Sequence, residues 1–133
     1  MNTDSLEDKG YRMTATDELI AQFVNALEND IAILKEICTP DCRLWHSNDN
    51  IWMEQRPALD AFIEAQAAGM IPKFDEVRTF RTEKGFLART SLTIEPVGKI
   101  HALQLLTVEN DKITVIEEYV APEIDIAAQI ATA

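Results

Sequence analysis

Three polar residues fall on strand faces that are otherwise apolar, and their side chains could move protons. His46 shares one face of a short segment with Cys42 and Leu44, while Arg43, Trp45 and Ser47 alternate onto the other. An imidazole there is either a general acid or base, because it titrates near neutral pH, or a core histidine with both nitrogens satisfied. Gln104 lies among Ile100, Ala102, Leu106 and Val108. A buried carboxamide is costly unless hydrogen-bonded, so it pairs with a neighbour or meets a ligand. Glu117 and Glu118 point to opposite faces of the last strand, one with Ile113, Val115 and Tyr119, the other with Ile116 and Val120. Periodicity leaves open which of the two turns inward; the inward carboxylate has its pKa raised by desolvation.

Weaker candidates surround these. Asp49 is either a carboxylate partner for His46 or part of plain Asn-Asp-Asn turn chemistry. Trp45 and Trp52 flank the same loop and either line a pocket mouth or simply pack. Cys38 and Cys42 are too few for a disulfide framework, and with His46 alone nearby they lack a zinc set, so they read as free thiols. No phosphate loop, dinucleotide glycine pattern or nucleophile elbow is present, so no cofactor and no metal are expected.

The elements that must position these groups follow from the pattern. Thr14 and Asp17 cap a helix with Leu19, Ile20, Phe23, Val24 and Leu27 at helical spacing. Asp30 caps a second, shorter one carrying Ile33, Leu34 and Ile37, stopped by Thr39-Pro40-Asp41. A strand then carries His46 into an Asn48-Asp49-Asn50 turn. Pro57 reads as the first residue of a third helix ending before Gly69. Beyond Pro72 the chain alternates, and strands are expected at 73–82, 86–95, 99–109 and 113–121, joined by hairpin-length connections. Helices first and a meander afterwards is an α+β layout. Residues 1–13 read as a flexible arm, 14–122 as the domain, and 123–133 as a tail, either a short docked helix or a loose end.

Composition bounds the partners. The chain has 133 residues, 47% hydrophobic and 26% charged, enough for one domain with a true core. Twelve Lys and Arg against 23 Asp and Glu give a formal charge of −11. Without a basic run, neither nucleic acid nor an anionic membrane is expected as a partner. The acidic, non-greasy start of the chain predicts a cytoplasmic protein.

The order helix, helix, strand, helix, four-stranded meander resembles the nuclear transport factor 2-like superfamily, in its SnoaL-like and ketosteroid-isomerase-like branch. The segments QFVNALENDIAILKEICTPDCRLWHSND and LLTVENDKITVIEEYVAP carry the resemblance, which spans residues 14 to 122. It implies a cone-shaped curved antiparallel sheet, cystatin-like, with the three helices of the N-terminal half packed on its concave face. It also implies a homodimer through the outer sheet face and a pocket for a small hydrophobic molecule. In ketosteroid isomerases the catalytic aspartate aligns with about His46, the oxyanion-stabilising aspartic acid with Gln104, and the oxyanion tyrosine with Phe23, which lacks a hydroxyl. In epoxide hydrolases of this fold, Glu118 takes the last acid position, Arg89 lies near the arginine, and Ser91 stands where the other aspartate would be. The resemblance thus sets His46, Gln104, Glu118 and Asp49 as catalytic candidates. Phe23, Leu44, Trp45, Trp52, Ala102, Leu106 and Ile116 become pocket-lining candidates. The implied function is proton transfer (isomerisation, cyclisation or dehydration) on a small apolar carbonyl or hydroxyl compound. The alternative is a ligand-binding or dimerisation module without catalysis.

Overall fold

The computed structural model describes residues 14–131; the expected arm at 1–13 lies outside them, as do the last two residues of the tail. Helix α1, Ala15–Glu28, opens on a reciprocal cap: Thr14 Oγ1 accepts from the Asp17 amide at 3.0 Å, and Asp17 Oδ2 accepts from the Thr14 amide at 3.1 Å. Its buried stripe is Leu19, Phe23, Ala26 and Leu27. Asp30 then caps a single 3-10 turn, Ile31–Ile33, that leads into the four-residue helix α2, Leu34–Ile37.

Strand β1 runs Cys38–His46, so Thr39-Pro40-Asp41 lies inside it instead of ending the helix. The reason is a bulge. Cys38 pairs with Ile113 and Arg43 with Val115, five steps on β1 against two on its neighbour. Pro40, which has no N–H to give a ladder, sits in the surplus. The chain turns through Asn50, at φ +57°, into a short strand, β2 (Ile51–Glu54), that pairs antiparallel with β1. Helix α3 spans Gln55–Ala67, starting two residues before Pro57; Gly69, just past its end, takes φ +76°.

The remaining strands are β3 (Arg78–Arg81), β4 (Gly85–Ile94), β5 (Gly98–Glu109) and β6 (Lys112–Pro122). Residues 73–77 were expected to extend β3, but they spend their backbone groups elsewhere. The Phe74 amide donates to Leu27 O, that of Asp75 to Ser91 O, and that of Val77 to Glu28 Oε2. The segment is therefore strapped to the end of α1 and to β4. The sheet order is β2-β1-β6-β5-β4-β3, antiparallel throughout except for the parallel pair β1–β6. Asn110 and Asp111, at φ +51° and +63°, form the tight turn between β5 and β6. At the start of β4, a Cβ on Gly85 would collide with Leu106 O, so only glycine fits there.

The core lies between the helices and one face of the sheet. Phe23, Leu27 and Ile37 from the helices meet Phe86, Ala88, Leu106, Ile113 and Ile116 from the strands. The tail forms helix α4, Ile126–Ala131, which buries none of its residues. No helix among the described residues is long and apolar enough to cross a membrane.

Candidate functional site

A single row across three adjacent strands builds the site. His46 on β1 and Gln104 on β5 are both direct register partners of Glu118 on β6, which lies between them. All three side chains project to the helix-covered face. His46 Nε2 lies 3.0 Å from Glu118 Oε1, and Gln104 Nε2 donates to Glu118 Oε2 at 2.7 Å. The carboxylate is acceptor-only when ionised, so it takes both donors and fixes their orientation.

A bulge decides which glutamate turns inward. Thr107 pairs with Val115 while Val108 pairs with Ile113, leaving Thr114 as one surplus residue on β6. Strict alternation from Ile113 would send Glu117 into the core. The extra residue reverses the parity, so Ile113, Ile116 and Glu118 share the inner face.

The row lies in the wall of a cavity of about 260 Å³. Leu27, Ile31 and Leu34 close one side, and Ala58, Leu59 and Phe62 of α3 another. Phe74, on the strapped segment, stacks on Phe62 with ring centroids 5.9 Å apart and planes at 10°. Leu44 and Ile116 flank the polar row on the sheet side, and Gln55 enters from the start of α3. The volume sits just below the range of roughly 300–1,000 Å³ common for drug-sized ligands, which fits a small molecule.

Electrostatics follow from the geometry. The Glu118 hydrogen bond is the main cause holding the His46 pKa above its ordinary value; burial opposes it, and the charges of Glu118 and Asp49 add to the upward shift. With Nε2 engaged by the carboxylate, Nδ1 is the nitrogen left to exchange a proton. Cys38 and Cys42 are buried free thiols, and Gln55 Nε2 approaches Cys38 Sγ at 3.6 Å. The Cys38 thiol is pushed up by its hydrogen bond with Cys42 and then by burial. Among the described residues no group of three or more His, Cys, Asp or Glu is arranged to hold a metal ion.

Of the residues singled out by sequence, His46, Gln104, Glu118, Leu44 and Ile116 converge on this cavity. The others are placed elsewhere. Asp49 does not orient His46: it is exposed, its Oδ1 accepts from the Ile51 amide at 3.1 Å, and it reaches the imidazole only through its charge. Phe23 is fully buried and edge-on to Phe86, with centroids 5.3 Å apart, a core residue outside the cavity lining. Ala102 and Leu106 are likewise buried in packing and do not border the cavity. Trp45 and Trp52 do not line its mouth, because odd positions of β1 face the opposite side. Their rings are 6.4 Å apart, and Trp45 meets Tyr119 at 5.2 Å on the outer face. Of the two roles open to the Gln104 carboxamide, pairing with a neighbour and meeting a ligand, its Nε2 takes the first by donating to Glu118. Arg89 is exposed, and Ser91 Oγ donates to Asp75 Oδ2 at 3.1 Å; neither joins the cavity. Sequence reading missed the apolar walls, Leu27, Ile31, Leu34, Ala58, Leu59, Phe62 and Phe74, and one polar lining residue, Gln55. It precedes Pro57, and starting the helix at the proline left it in a loop.

Solved structures share this architecture. An NTF-2-like protein of unknown function from Burkholderia xenovorans superposes with a TM-score of 0.67 at 12% identity, covering 96% of this chain and 95% of its own. An LEH-like epoxide hydrolase from M. tuberculosis gives 0.63 at 18%, covering 82% and 84%. A Catenulispora acidiphila protein with a ketosteroid isomerase-like fold, in complex with trimethylamine, gives 0.56 at 16%, covering 77% and 84%. No protein-family model matches the chain, and no curated protein sequence does. The fold is NTF2-like and α+β.

Proposed function

We propose that this NTF2-like fold holds a small, mostly apolar molecule in its cavity and transfers a proton on it through His46. The observation that carries the reading is the Gln104–Glu118–His46 row set into an otherwise apolar wall. Glu118 fixes the Nε2-H form of the imidazole and raises its basicity, leaving Nδ1 to take a proton from carbon or oxygen and return it elsewhere. Gln104 is a positioning residue, because it holds the second carboxylate oxygen and touches the chemistry through Glu118. The apolar walls exclude water and strengthen these contacts. Isomerisation, cyclisation and dehydration of a carbonyl or hydroxyl compound all use this single-base arrangement. The LEH-like epoxide hydrolase from M. tuberculosis supports small-molecule chemistry on this fold, while the exposed Arg89 argues against the arginine-dependent variety here.

The test is turnover by His46→Ala and Glu118→Gln across a panel of ketones and hydroxy-ketones. Loss in both variants, with ligand binding retained, is expected. Full turnover in both sinks the mechanism, and binding with no turnover by any form of the protein leaves a carrier or sensor.

A second feature supports self-association. Trp45, Trp52 and Tyr119 form an aromatic cluster on the outer sheet face, with Trp52 46% and Tyr119 43% exposed and Arg43 lying 6.0 Å over the Trp52 ring. Such a cluster is the usual anchor of a two-fold interface, and a homodimer through this face accounts for it.

A further inference from the structure

Among the described residues, Gln55 Oε1 and Gln104 Oε1 are buried and lack a hydrogen-bond partner, and both residues line the cavity. Buried acceptors without donors are rare in native proteins, so two in one small hollow call for a cause. Gln104 cannot relieve the problem by turning over. Gln104 must present Nε2 to Glu118, because a carboxylate accepts and does not donate. Gln55, only 3% exposed, gives Nε2 to Cys38 Sγ at 3.6 Å. Both carbonyl oxygens are left without a donor, and the surrounding lining is mostly hydrocarbon from Leu27, Leu59, Phe62 and Ile116.

We infer that the occupant of this cavity is a small apolar compound bearing an O–H or N–H donor, an alcohol in preference to its ketone, recognised by Gln55 Oε1 and Gln104 Oε1. This rests on the cavity being a ligand site, as proposed above, and narrows the carbonyl-or-hydroxyl class to the hydroxyl member. A ketone brings a third acceptor to two that are already unpaired and must be desolvated for nothing. An alcohol supplies the missing hydrogen. Sites built to hydrogen-bond a hydroxyl discriminate strongly against analogues lacking it, for the same reason.

The experiment titrates the full chain with cyclohexanol, cyclohexanone and cyclohexane, following the side-chain amide resonances of Gln55 and Gln104 by NMR. Cyclohexanol is expected to bind at least about tenfold more tightly than cyclohexanone and to shift both amides. In Gln55→Met, which keeps length and fills the space, that ratio is expected to fall below about threefold with cyclohexane affinity not reduced. Equal affinity for alcohol and ketone in the unaltered protein overturns the inference and leaves the cavity reading intact. Binding by none of the three overturns both. A ratio unchanged in Gln55→Met overturns the role of Gln55. Should that variant fail to fold, the wild-type ratio together with the Gln55 amide shift decides the matter alone.

Discussion

Glu118→Gln is the most informative single change, because one carboxylate holds two donors. Glu118 Oε1 meets His46 Nε2 at 3.0 Å, and Oε2 meets Gln104 Nε2 at 2.7 Å. An amide in its place has one acceptor oxygen, so one of the two donors must face an NH₂ group. Hydrogen bonds to a charged group contribute about 1.5–3 kcal/mol each. The side chains of His46 and Glu118 are 24% and 15% exposed, which puts the loss near the lower end, about 1.5 kcal/mol after solvent screening. For a domain of this size that lowers Tm by roughly 5 °C. The loss must also depend on pH. A histidine whose folded pKa stands above its unfolded value stabilises the fold fully below the unfolded value, and that stabilisation fades as pH rises through the folded one. His46 is shifted upward, chiefly by Glu118. The gap between wild type and variant is therefore widest near about pH 6 and narrower by about pH 9, where only a neutral N–H donor remains to be lost. Urea unfolding of both proteins at these two pH values measures it. A gap that is constant or grows with pH refutes the electrostatic account of the pair.

Two further changes probe the scaffold. Gly85→Ala drives a methyl group against Leu106 O, a backbone atom that cannot move aside, and is expected to destabilise by about 3 kcal/mol or more in chemical denaturation. A loss under about 1 kcal/mol would show that β4 and β5 can separate at this end. Tyr119→Lys places a charge in the outer aromatic cluster and is expected to convert a dimer to a monomer in sedimentation without moving the His46 titration. An unchanged mass would remove this face as the interface.

Much of the frame could be read from residue type and spacing. The Thr14–Asp17 cap, the Leu19–Leu27 stripe and the clean alternation of β4 are local signals, and each appears where expected. Alternation also put His46 and Gln104 on the apolar faces where they lie. What failed to show were effects of pairing. Strand β2 is four half-exposed residues that look like loop until β1 lies beside them. The Pro40 surplus in β1 and Thr114 in β6 are visible only as mismatched register between strands far apart in sequence. For the same reason the choice between Glu117 and Glu118 stayed open, and the tryptophans were assigned by proximity to the loop when parity would have turned them outward. Gln55 gave no local signal, since its importance comes from the cavity it enters.

The lone surplus residue at Thr114 makes the identity of each surface hostage to a count. Everything C-terminal to it on β6 faces the side it does because that one link is held out of the ladder. Excising it would leave each facing unchanged, since Ile113 and Val115 would then alternate as direct neighbours. Drawing it back into the ladder would present Glu117 and Tyr119 to the hollow and thrust Ile116 and Glu118 toward solvent. A proton-handling surface and an adhesive one thus stand one register step apart, with no side chain exchanged.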